Sequence, residues 1–324
     1  MGQLLKIVNM LKKKDVIVDF IATDGDHKYD ELHDQFFDII FDLHKGNCSF
    51  SEIVSKLSDS KIVQIPISDF LHSLKLFRNN IVKSGIVIEN KNSITVLPES
   101  LEKYGMGKAL TDRSQHGKMK DCYPLEMFSS KHISEAIERG DWNFVFYSLP
   151  MNLMVNAIRN PDLSFELRKY NLEVCFYFML HYLYQMNGSV SPPHSRIGII
   201  RMINTIIGVA VALERYNFVH TGHIGTHPLE NYFGSLRVAC NNDHSYCNIF
   251  RAIGKTIHVR NLLNDLDQKE TIRTRLGYGG TKAEIICIEG IIPDISPFDL
   301  YKILWQKIKK PCFLYIRQNL GMKK

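Results

Sequence analysis

The chain has 324 residues, 45% of them apolar and 23% charged, with a formal net charge of +6. This is ordinary globular composition, which excludes bulk disorder, and the length suits one large domain or two smaller ones. The mild basic excess favours a polyanionic partner without proving one. Seven cysteines, an odd number with no CxxC pair, read as reduced intracellular thiols and exclude a disulfide framework. Cys240, His244 and Cys247 are close in sequence, but their spacing matches no standard zinc motif and no fourth ligand is apparent. Small, half-buried side chains near a loop are the simpler reading there.

Residues 1–14 read as the tail of a helix that begins upstream. The apolar stretch 4–11 is short and interrupted by Lys6 and Asn9, so it is not a secretory signal. Residues 15–23 (DVIVDFIAT) are β-branched and apolar, the pattern of a buried strand, and run into Asp24-Gly25-Asp26. Tyr29, Leu32, Phe36, Phe37, Ile40 and Phe41 then recur at helical spacing. A short helix is expected over 50–57, a strand over 61–67, an amphipathic helix over 69–83, and a hairpin over 85–98 turning at 90–92.

From about 99 to 220 the pattern is mostly helical, with breaks expected at Gly105, Gly107, Pro124, Gly140, Pro150, Pro161 and Ser191-Pro192-Pro193. The run 197–213 is the most apolar of the chain. Arg201 interrupts it and charged residues bracket it, so it reads as a buried core helix, and no membrane span is expected. Further helices are expected at 229–240, 248–266 and 297–320, a loop at 271–280 and a short strand at 285–292.

Three segments carry candidate chemistry. Asp24 follows a buried strand directly, a location where a carboxylate projects from a rigid element; a helix-capping role explains it equally simply. Asp69, His72, Lys75 and Arg78 recur at every third position of the next helix, forming a ridge that can hold phosphates, or one that is merely a solvated face with Asp69 as cap. In the segment 225–237, Pro228 suits a first helical turn, and Leu229, Tyr232, Phe233 and Leu236 form an apolar face. Glu230, Gly234 and Arg237 share the opposite face. A glycine inside a helix costs about 1 kcal/mol relative to alanine, which suits a face that something must approach closely. A first-turn glutamate favoured by the helix dipole is the plainer alternative.

Together these segments, strand–Asp–helix, strand–DxxHxxKxxRN, a long helical stretch and LExxFG, resemble the ribonuclease H-like DDE transposases of the P-element and THAP type, and more distantly the hAT type. The resemblance spans most of residues 15–260. It implies an α/β, mostly helical fold: a partial ribonuclease H-like core over 1–89, a helical insertion over 90–215, core helices over 216–266 carrying the glutamate, and a C-terminal region over 267–324. It matches Asp24 to the second catalytic acid and Glu230 to the third, both as ligands of Mg2+ or Mn2+ in a two-metal site of the intact enzyme. It makes His72, Lys75, Arg78 and Arg237 the DNA contacts. No residue matches the first catalytic acid, so a truncated or split gene product, inactive in strand cleavage, is expected. DNA is the implied partner, with a second copy or an upstream-encoded chain, and the nucleus the implied location of a functional product. No P-loop supports nucleotide binding and no other small-molecule cofactor is identified. A non-catalytic DNA-binding or interaction protein derived from a transposon is the alternative.

Overall fold

The computed structural model describes residues 6, 8–11, 13–14, 18–23, 26–60, 64–88, 94–160, 162–185, 189–191, 194–216 and 295–309. The first β-branched run supplies a strand at Phe20–Thr23 (β1) and the second a strand at Ile65–Ser68 (β2). They pair in parallel, with Phe20 opposite Ile65 and Thr23 opposite Ser68. Parallel strands need a long crossover. Two amphipathic helices make it: Asp30–Lys45 (α1), which buries Phe36, Phe37 and Ile40, and Phe50–Asp59 (α2), which buries Phe50, Ile53, Val54 and Leu57. A capping box starts α2, with the Ser49 N–H donating to Glu52 Oε2 at 2.7 Å and the Glu52 N–H to Ser49 Oγ at 3.3 Å.

Beyond β2, Asp69 caps the helix Phe70–Ser84 (α3), accepting from the Leu71 N–H at 2.9 Å. Gly85, at φ 68°, then turns the chain where a Cβ would lie 2.9 Å from the Val96 carbonyl. The expected hairpin follows as the antiparallel strands Ile86–Ile88 (β3) and Ile94–Val96 (β4). A strand at Ser189–Ser191 (β5), where a break is expected, pairs with the other side of β3. Three residues are too few for a period-two pattern to reveal it.

Four short helices, Pro98–Leu101 (α4), Lys108–Thr111 (α5), Gln115–Lys118 (α6) and Cys122–Met127 (α7), lead into four longer ones. These are Ser130–Arg139 (α8), Trp142–Arg159 (α9), Phe165–Gln185 (α10) and Arg196–Tyr216 (α11), with Pro297–Lys309 (α12) packed on α9 and α10. Gly140 ends α8 in the left-handed conformation, as a glycine at that point should. The expected break at Pro150 does not occur: α9 runs through it. Proline lacks the N–H that would bond the carbonyl four residues back, that of Phe146. The Tyr182 hydroxyl of α10 donates to that carbonyl at 2.9 Å in its place.

Helix α11 is buried from Gly198 to Leu213 and packs against β2, α1, α2 and α10. Among the described residues it is the one helix long and apolar enough to cross a membrane; here its apolar surface is taken up by those neighbours. Gly208 lets it lie close on the sheet, because a Cβ there would meet Ile67 Cγ1 at 2.8 Å and Ile65 Cγ2 at 3.0 Å. Although α11 falls within the range expected for a helical insertion, it covers the strand pair itself.

Candidate active site at the strand ends

The carboxyl ends of β1 and β2 adjoin: the Asp69 N–H donates to the Thr23 carbonyl at 3.0 Å. Ends of parallel strands are where such sheets place functional groups. Here they are fastened from above by α11, whose Arg201, Asn204, Thr205 and Gly208 recur at i, i+3, i+4 and i+7 along one face. Thr205 Oγ1 accepts from the Ser68 N–H at 3.0 Å and donates to the Arg201 carbonyl at 2.8 Å. Arg201 donates to the Asp26 carbonyl at 2.9 Å and pairs with Asp30.

The end of β1 is held by a chain of buried polar groups. The Asn204 side-chain amide donates to the His33 carbonyl at 2.8 Å and to His33 Nδ1 at 3.1 Å. A carbonyl accepts only, so the amide orientation follows, Nδ1 is the acceptor, and the ring proton sits on Nε2. That proton is donated to Thr23 Oγ1 at 2.9 Å. His33 and Thr23 are fully buried. Burial, with the nearby Arg201 charge, lowers the His33 pKa to about 4, so the neutral ring that this tautomer requires is the one present at neutral pH.

A second buried imidazole lies close by. His194 accepts from the Ser195 N–H at 2.8 Å and packs on Phe77, ring centroids 5.0 Å apart. Its ring occupies the space that a Cβ on Gly198 would need. Desolvation lowers its pKa to about 4 against the hydrogen bond from Ser195, and the charges of His72 and Arg201 lower it further.

The ridge of α3 differs from its sequence reading. Asp69 is the cap, and His72 is half-buried. The Lys75 ammonium pairs at 2.9 Å with Asp121, the two side chains only 12% and 6% exposed; the approach is off the line of a well-aligned hydrogen bond. Arg78, expected among the DNA contacts, is 1% exposed. It donates through Nε to the Ala109 carbonyl at 2.7 Å and through Nη2 to the carbonyls of Asp112 and Lys108 at 2.7 and 3.3 Å. Nη1 bonds Asn79 Oδ1 at 2.9 Å, and the guanidinium lies over the Tyr123 ring. Arg78 is therefore a clamp between α3 and the segment 108–112, and a phosphate contact would require that clamp to open.

Asp24, Glu230 and Arg237 lie outside the described residues, as do Cys240, His244, Cys247 and every element expected between 217 and 294. Hard carboxylate oxygens at 24 and 230 are the donor type that Mg2+ or Mn2+ takes. Among the described residues no group of three or more His, Cys, Asp or Glu side chains could hold a metal ion. His33, His194, Arg201, Asn204 and Thr205 are absent from the motifs read in sequence. One signal pointed to the last three: polar residues at helical spacing on one side of an otherwise apolar helix.

The fold is of a transposase type. The chain is similar to a solved Drosophila P element transposase, in its strand transfer complex, with a TM-score of 0.54 and 18% identity. The match covers 80% of this chain and 64% of that one, so this chain spans somewhat under two thirds of the transposase's length. At this identity the likeness is one of fold. No family model and no curated protein matches the chain.

Proposed function

We propose that this protein is transposase-derived and acts on DNA through a ribonuclease H-like core, with Asp24 and Glu230 as its acidic pair. One observation carries the reading: a parallel strand pair whose carboxyl ends are held by buried polar contacts immediately before Asp24, within a fold similar to a transposase. Asp24 and Glu230 would hold Mg2+ or Mn2+, which supplies charge stabilisation for in-line phosphoryl transfer in two-metal sites. Arg237 would meet the DNA backbone, and the half-buried His72 would serve near the strand ends. Lys75, bound to Asp121, would reach a phosphate only by exchanging that partner.

The motifs supply two carboxylates where the family uses three, so cleavage is expected only when another acid is provided. The test measures binding of duplex DNA as a function of salt, and nicking with Mg2+ or Mn2+. Binding that weakens steeply with salt, without nicking, is the expected result. No binding even at low salt overturns the DNA reading. Nicking by this chain that is lost in Glu230→Gln overturns the requirement for a further acid while supporting the site.

A further inference from the structure

We propose that Thr23, His33 and Asn204 form a positioning relay that fixes the end of β1, and with it the direction in which the next residue, Asp24, presents its carboxylate. The proposal rests on the reading of Asp24 as a metal ligand. Its basis is geometric. Three side chains from three elements, β1, α1 and α11, join in one buried line, with contacts of 2.9 Å and 3.1 Å. The line has a fixed direction. Asn204 is anchored by the His33 carbonyl, so its other amide proton goes to Nδ1, and the only ring proton left goes to Thr23.

This is more fixing than a four-residue strand in a two-stranded sheet needs for its ladder, which Asp69 and Ser68 already complete through Thr23 and Thr205. Groups that orient a metal ligand from behind commonly change metal affinity by ten- to a hundredfold when removed. None of the three touches substrate on this reading; they act through the backbone of residue 23.

The experiment uses the full chain and Mn2+ alone, with affinity followed by electron paramagnetic resonance of the free ion. Hydrogen exchange at the Asp69 amide, which bonds the Thr23 carbonyl, is measured in parallel. Thr23→Val removes the hydroxyl at nearly constant volume, and Thr23→Ser restores it. The expected result is Mn2+ binding about tenfold weaker in Thr23→Val and faster Asp69 exchange, both reversed in Thr23→Ser, at similar melting temperatures. Asn204→Leu breaks the relay at its far end and replaces Thr23→Val should that variant not fold. Native affinity and native exchange in a folded Thr23→Val or Asn204→Leu protein overturn the relay. Mn2+ binding unchanged in Asp24→Asn overturns the reading of Asp24, and the relay's purpose with it, whatever the exchange rates show.

Discussion

Arg78 and Tyr182 both complete carbonyls that belong to other segments. The guanidinium of Arg78 serves three carbonyls of 108–112 and the Asn79 side chain at once. Arg78→Ala leaves those carbonyls without their donor, and a loss of roughly 3 kcal/mol in urea unfolding is expected. Arg78→Lys should recover little, because a single ammonium cannot reproduce the planar fork. If Arg78→Ala instead keeps native stability and lowers the salt slope of DNA binding, the residue is a phosphate contact after all. Tyr182→Phe strands the Phe146 carbonyl that Pro150 cannot serve, and a loss of about 1–2 kcal/mol is expected. In Tyr182→Phe combined with Pro150→Ala, whose new N–H serves the carbonyl, most of that loss should return; failure to recover would show that the hydroxyl acts elsewhere. Neither role is visible in sequence, since the spacing of Arg78 from 108–112 and of Tyr182 from Phe146 follows no helical period.

Among the elements, α11 does the most to define the core. Gly208 touches both Ile65 and Ile67 of β2, so even a methyl group forces helix and strand apart. Gly208→Val should cost about 1–3 kcal/mol, and Gly208→Ala less, as measured by chemical unfolding. A neutral result for Gly208→Val would mean that the helix lies further from the sheet than described. The elements themselves were largely legible. The strand–helix–helix–strand unit, the α3 boundary at Asp69 and the β3–β4 hairpin follow from β-branched runs, helical apolar spacing and cap residues, all local signals. The three-residue β5 and the passage of α9 through Pro150 were not, because a partner strand and a partner hydroxyl in distant segments made them.

For the molecule as a whole, the two buried imidazoles set an acid sensitivity. His33 and His194 have folded pKa values near 4, below the ordinary 6.5, so the unfolded chain binds their protons first. Stability is then full above about pH 6.5 and falls as pH drops from 6.5 towards 4, by on the order of 3 kcal/mol per ring. Urea midpoints at pH 7 and pH 4.5 measure this. His33→Gln should flatten the slope by about half, and an unchanged slope would show that His33 is not held neutral in the folded state. The direction of this pH dependence comes from burial alone, which the formal charge of +6 does not foretell.

By itself the sequence determined the mostly helical α/β character, the strand that leads into Asp24, the cap at Asp69 and the resemblance carried by widely spaced motifs. These are local, because apolar period, β-branching and capping act over a few residues. Tertiary structure alone decided that β1 and β2 are parallel neighbours, that α11 fastens their ends, and that the polar ridge of α3 turns inward at Lys75 and Arg78. A charged side chain looks solvated in any local pattern. Only the arrival of a distant carboxylate or a set of unpaired carbonyls makes its burial favourable.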